Sequence, residues 1–283
     1  MADIRPMNFG EILDASLMIY RRHVGLFLKL ALVALSVPVV LFVYFGLRAL
    51  SDFTTNPLRA FVYLIPVFIV YSLAAMVLTA GTIRIISDSY LGRAPRLEDA
   101  LSLGVAKILP LIAVGLGKAI VLGLIVMAAG LVAGVAGAAL KGSALGVVLI
   151  IAAVCFGTWF TVFVACGYGL TTPVVVLEPL GSSFDAFARS WELTRSFKLK
   201  VLGLFLVAVL LTNTLPSLVF RGIGGAVMPS APALGIAITA LGYVVPLILA
   251  PVISAVITLM YYDFRVRREA FDLQVLGQQL GII

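Results

Sequence analysis

The sequence predicts an all-α integral membrane protein: six transmembrane helices in three repeated units, each a cytoplasmic amphipathic helix followed by a transmembrane hairpin. Three observations lead there. Hydrophobic residues make up 62% of the 283 residues and charged residues 12%, against roughly 45–50% and 25% in globular domains. Most of that apolar surface must face lipid or another helix. Second, charge-free runs recur at Leu30–Leu47, Ala60–Ile83, Ala119–Leu140, Gly142–Leu177, Val201–Phe220 and Gly222–Tyr262, and about 20 apolar helical residues cross a bilayer. Third, Asp14-Ala15, Asp99-Ala100 and Asp185-Ala186 lie 85 and 86 residues apart, each in a short charged segment ahead of two apolar stretches. A constant period of that size reads as copies of one unit. Residues 1–283 then form a single membrane domain with units near 5–92, 93–178 and 179–272 and a cytoplasmic tail over 263–283.

Each element has its own signal. Over Phe9–Arg22, at 100° per residue, Phe9, Ile12, Leu13, Ser16, Leu17, Ile19 and Tyr20 fall on one side. Glu11, Asp14, Arg21 and Arg22 fall on the other, with Met18 misplaced. Such a helix is expected to lie in the headgroup plane with its apolar face in the membrane. Asp3, Glu11 and Asp14 ahead of the first run do not fit a cleavable signal peptide, so span one is expected to be retained. The third span is expected to start near Ile108, which places Lys118 ten residues inside it. The fourth and sixth runs exceed one span. Loops are therefore expected at Gly142-Ser143 and over Gly222–Pro232. Ser182-Ser183 offers an N-cap for a third amphipathic helix, Phe184–Arg195. Pro38, Pro66, Pro110, Pro216, Pro246, Pro251 and Pro173 either mark places where spans break or reflect the commonness of proline in membrane helices, and Gly130-x-x-x-Gly134 favours close helix packing within the chain or between chains.

Fifteen Lys and Arg lie before span one, between spans two and three, between four and five, and after six. Only Arg48, Arg59, Lys141 and Arg221 lie on the other side. The positive-inside bias then puts both termini in the cytoplasm. Of thirteen acidic residues only Asp52 falls outside. The net charge of +7 is spread along hydrophobic borders, which argues against nucleic acid as a partner and for membrane lipids.

Chemistry is sparse. His23 is the sole histidine, Cys155 and Cys166 sit in one apolar run, and no zinc, phosphate-loop or nucleophile-elbow motif occurs. No cofactor is implied. Lys118 is the candidate intramembrane polar site: an ionisable group there is either functional or snorkels to the headgroups. In the tail, Asp263/Arg267, Arg265/Glu269 and Arg268/Asp272 are i,i+4 pairs. These charges either pair along their own helix or lock against Glu11, Asp14, Asp99, Asp185 and Arg189 of the connectors in a cytoplasmic ionic network. The connectors themselves read either as struts that fix hairpin geometry or as a collar for a partner.

Arg5-Pro6-Met7-Asn8-Phe9-Gly10-Glu11-Ile12-Leu13-Asp14 with Tyr20-Arg21-Arg22, the segment Ala188-Arg189-Ser190-Trp191, and Tyr261-Tyr262-Asp263-Phe264-Arg265-Val266-Arg267-Arg268-Glu269-Ala270-Phe271-Asp272-Leu273 resemble a bacterial family. It is the glycerophosphoryl diester phosphodiesterase membrane-domain family, with its YciC-like inner-membrane relatives. The resemblance touches both ends and the middle. It implies a polytopic bacterial inner-membrane architecture without the phosphodiesterase activity, because no soluble stretch here could form that catalytic domain. The expected role is a non-enzymatic scaffold or accessory module that engages a partner protein or lipid at its cytoplasmic face, with room for a homo-oligomer. A small transporter or channel using Lys118 is the alternative, and a membrane-lipid enzyme the third.

Overall fold

Residues 5–269 are described in the computed structural model. Among them the chain is helical almost throughout and contains no strand. Six helical stretches are long and apolar enough to cross a membrane, and the protein is a multi-pass α-helical membrane protein. The first hairpin is α1 (Phe9–Leu41), a π-helical turn at Phe42–Gly46, α2 (Leu47–Asp52) and α3 (Pro57–Tyr90), followed by the short α4 (Leu97–Ala106). The second is α5 (Ile108–Ala139) and α6 (Ala144–Gly167), followed by α7 (Thr171–Leu177) and α8 (Asp185–Thr194). The third is α9 (Lys198–Val209), a π turn at Leu210–Thr214, α10 (Leu215–Val227) and α11 (Pro232–Glu269).

The tips are tight for local reasons. Asn56 Oδ1 accepts from the Arg59 amide at 3.3 Å, and Pro57 supplies a pre-set φ at the first position of α3. Gly142 turns the second hairpin at φ +75°, where side chains are disfavoured, and Ser143 Oγ then accepts from the Gly146 amide at 3.1 Å. At the third tip the expected long loop over Gly222–Pro232 is absent: α10 stays helical to Val227. Gly222 and Gly225 there have nothing within 4 Å of a Cβ, while Gly224 serves close approach. A Cβ on Gly224 would fall 2.8 Å from Gly235 O, and one on Gly242 would fall 2.7 Å from Arg221 Cγ.

Other expectations are revised in the same way. The helices run through Pro38, Pro66, Pro246 and Pro251. The break in the fourth span lies at residues 168–170, ahead of Pro173. Nothing stands within 4 Å of a Cβ on Gly130 or Gly134, and the close crossing of α5 and α6 is Gly157 on Ala129. At α8 the N-cap is Phe184, while Ser182 and Asp185 bond each other's turn: Ser182 N donates to Asp185 Oδ2 at 2.8 Å and Phe184 N to Ser182 Oγ at 3.3 Å.

The packing divides the chain into two units, one up to Leu109 together with the chain from Leu204 onward, the other Pro110–Gly203. In the first unit α4 lies on α3: a Cβ on Gly104 would fall 2.7 Å from Val77 O, and one on Gly81 would fall 3.0 Å from Ala100 O and from the Leu30 side chain. In the second, α8 lies on the arms of its hairpin. A Cβ on Gly117 would fall 2.9 Å from the Phe187 ring, one on Gly167 would collide with Trp191, and Ser190 Oγ donates to Gly167 O at 2.8 Å. Each of these connectors therefore packs on the hairpin that precedes it in sequence.

Each seat can be measured from the tip of its own hairpin. Leu30, Val77 and Gly81 lie roughly 20–24 residues from the first tip, or about 30–36 Å at 1.5 Å per residue. Gly117 and Gly167 lie roughly 22–23 residues from the second, about 33–35 Å. One hydrocarbon core is about 30 Å, so each connector sits one bilayer thickness from its tip.

The amphipathic segment of α1 is joined to its span at His23, whose φ of −120° and ψ of 19° bend the helix. Ile12, Ser16, Ile19 and Tyr20 are buried and Asp14, Met18, Arg21 and Arg22 exposed. The period is the expected one, but the apolar face is covered by protein: Ile12, Ala100, Ala186 and Leu193 all have no exposure. The connectors are thus helices docked on their own bundle, because the hairpin arms offer them a closer apolar surface than lipid does.

Candidate functional site

Polar chemistry in the first unit gathers beyond the seat of α4, where the N-terminal segment meets the last turns of α11. Asp263 is fully buried. Its Oδ1 accepts from the Met7 amide at 2.7 Å and from Arg267 Nε at 3.0 Å, while Arg267 Nη2 donates to Met7 O at 3.0 Å. One i,i+4 pair therefore satisfies both backbone groups of Met7. A buried carboxylate survives here because each charge-assisted bond offsets part of its desolvation. Beside it Arg265 Nε donates to Glu269 Oε2 at 3.0 Å and Arg265 Nη1 to Tyr261 Oη at 3.1 Å. Both expected pairs of the tail that fall on described residues form. Arg268 has contacts of its own, and Asp272 lies outside the described residues.

Glu11 bonds Arg5 Nη2 at 2.8 Å and accepts from the Asn8 amide at 2.6 Å, closing the start of α1. Asp14 and Asp99 are exposed. In the second unit Arg189 pairs with Glu178 at 3.1 Å and Glu192 at 3.7 Å. These pairs of the expected set each join residues close in sequence.

A second cluster in the first unit escaped sequence reasoning. Asp88, 4% exposed, pairs with Arg84 at 2.9 Å, and its Oδ1 has no hydrogen-bond partner. Ser87 Oγ lies 2.6 Å from Tyr262 Oη, and Tyr90 packs its ring on Tyr262 with centroids 5.1 Å apart. His23 Nε2 lies 3.1 Å from Ser89 Oγ. The signal was present as the i,i+4 spacing of Arg84 and Asp88, next to an apolar run that drew attention away from it.

Lys118 is half-buried and makes no hydrogen bond or ion pair with the described residues. It follows Gly117, where the Phe187 ring of α8 packs. Counted from the tip at Ala139, Lys118 stands at about 32 Å, one residue from the point where α8 packs on α5. Another cation of the same unit is held: Lys198 Nζ sits 3.2 Å from the Phe163 ring centre and 3.6 Å from that of Trp191.

No three His, Cys, Asp or Glu side chains come together to hold a metal ion among the described residues, and both cysteines are free thiols. No family model, curated protein or solved structure matches this chain.

Proposed function

We propose that this protein is a non-enzymatic scaffold or accessory module of a bacterial inner membrane, with both termini and all connectors in the cytoplasm. Its terminal and central motifs favour kinship with the glycerophosphoryl diester phosphodiesterase membrane-domain family. One observation carries the reading: the connectors bury their apolar faces in the protein and turn charged faces outward. On α1 and α4 of the first unit those faces hold Asp14, Met18, Arg21, Arg22, Glu98 and Asp99, all exposed. Met18 is 66% exposed amid charge, a pairing of apolar anchor and polar rim that suits a protein surface. Homo-oligomers remain compatible with the same surface.

The Met7–Asp263–Arg267 latch favours a fixed platform over a moving gate. The cavities described in each unit have mainly aliphatic walls, which offer little to replace an ion's hydration shell. The transport alternative rests on Lys118, whose level beside α8 favours snorkelling.

The test sets Arg267→Glu against Lys118→Met in detergent melting, site-specific photo-crosslinking from Met18 and Asp99, and liposome flux. A scaffold gives one recurrent crosslinked protein that Arg267→Glu loses and Lys118→Met keeps. If Lys118→Met abolishes a measurable flux while Arg267→Glu retains it, the scaffold reading falls. Orientation is read with introduced cysteines in a background lacking Cys155 and Cys166. Ser51 and Ser230 should react with an impermeant thiol reagent from the periplasm, and Ser102 and Ser182 should not; all four are exposed.

A further inference from the structure

Within the first unit, α1, α3 and α11 enclose a groove of about 460 Å³, inside the roughly 300–1,000 Å³ range of ligand pockets. On α3 it reaches Thr82, about 38 Å from the first tip at 1.5 Å per residue, and on α1 it extends from Val39 to Tyr20. Its deep part is walled by aliphatic side chains such as Leu35, Val39 and Leu247. Its upper part, beyond the roughly 30 Å hydrocarbon core, carries Thr82 and Ser254.

These two hydroxyls are out of character. A Ser or Thr in an apolar helix ordinarily donates to the carbonyl one turn back. Thr79 does so to Ala75 O and Thr258 to Ser254 O, both at 2.7 Å. Thr82, 2% exposed, and the half-buried Ser254 make no side-chain hydrogen bond with any described residue, and neither oxygen is sealed from the surface, so each is open to a partner from outside the chain. Thr239 is also unbonded, but it is shut against Gly224 and faces no groove. Arg21 and Arg22 lie in sequence between Tyr20 and Val24, which line the groove, and stand exposed at the His23 bend. Apolar trough, unsatisfied donors and cationic rim follow one another in the order of acyl chain, ester carbonyls and phosphate.

We propose that this groove is a specific site for one anionic phospholipid of the leaflet at the connector end. Its acyl chain lies along α1, its ester oxygens accept from Thr82 and Ser254, and its phosphate meets Arg21 and Arg22. The proposal is independent of the scaffold reading. The second unit supplies an internal control: a crevice of about 440 Å³ lined by apolar residues, among them Ala128, Val132 and Phe156. It has the trough without the hydroxyls or the rim and holds only exchangeable lipid.

Native mass spectrometry of the full chain in detergent, titrated with phosphatidylglycerol or phosphatidylcholine, tests this. The expected result is one phosphatidylglycerol per chain that survives activation stripping all other lipid. Ala31→Phe, which fills the groove, should abolish it, and Ala128→Phe should leave it unchanged. Thr82→Val with Ser254→Ala should weaken retention about tenfold, and Arg21→Gln with Arg22→Gln should remove the preference for the anionic lipid. The proposal is overturned if Ala31→Phe and Ala128→Phe lose lipid equally, or if both lipids are retained alike by the wild type. A dimer that Ala31→Phe dissolves, with no retained lipid, would make a second copy the occupant and also overturn it. Should Ala31→Phe not fold, the near-isosteric hydroxyl variants decide: unchanged retention in them refutes the site.

Discussion

The connectors α4 and α8 occupy comparable seats, one bilayer thickness from a hairpin tip, yet they are held by different chemistry. Under α4 the fit is backbone against backbone, with Gly104 on Val77 and Gly81 on Ala100. Under α8 it is aromatic. Trp191 lies over Gly167 and packs with Phe163 and Tyr168 at 5.8 and 5.7 Å, while Lys198 closes the far side of the rings. A seat built from missing side chains tolerates no addition, and one built from large plates tolerates no removal. The N-terminal segment adds a third solution, in which the Asp263–Arg267 pair clamps the backbone of Met7.

The largest effect should come from filling the first seat. Gly104→Val would drive side-chain atoms into Val77 and lower stability by about 3 kcal/mol or more. Gly115→Ala, with nothing within 4 Å, should be neutral. Melting of both variants in detergent checks the contrast, and equal melting would mean that α4 can lift from α3 freely. Trp191→Ala should follow at about 2–4 kcal/mol, as expected for a large ring not wholly buried. The loss should be accompanied by faster proteolysis between α8 and α9. The reciprocal exchange sharpens the point: Gly167→Ala should be destabilising too, because Trp191 already fills that space.

Asp263→Asn keeps an acceptor for the Met7 amide but removes the charge that faces Arg267. A loss of about 1–2 kcal/mol is expected, with hydrogen exchange at the Met7 amide faster than in the wild type. Unchanged exchange would show the clamp to be idle. Lys118→Met should be the smallest, within about 0.5 kcal/mol, since its ammonium makes no hydrogen bond or ion pair with the described residues. A larger loss would place that charge in a network with lipid or a ligand.

Much of this was legible in the chain. The six spans, the absence of strands and the three amphipathic segments follow from hydropathy and its period, because a backbone in lipid must satisfy itself within a helix. The tail pairs Asp263/Arg267 and Arg265/Glu269 follow from helical spacing alone. Other features have no local signature. Gly224 reads as loop or as tight packing with equal ease, and only the arm of α11 opposite decides for packing. Asp88 is an ordinary polar residue until folding buries it beside Arg84. The depth of Lys118 depends on where α8 lands, since span length counted along one helix has no origin until a neighbour marks the interface.

The sequence by itself determined that the chain spans a membrane, how many times it can do so, and which faces of the connectors are apolar. Those properties belong to short stretches of backbone and their transfer energies between water and lipid. Only the tertiary structure decided what those apolar faces touch. It sent α4 back onto α3 and α8 onto the arms of α5 and α6, and it let the Asp263–Arg267 pair receive Met7 from more than 250 residues away. Contacts of that range depend on complementary shape and on paired charges that meet only after the helices have formed, and no local pattern encodes them.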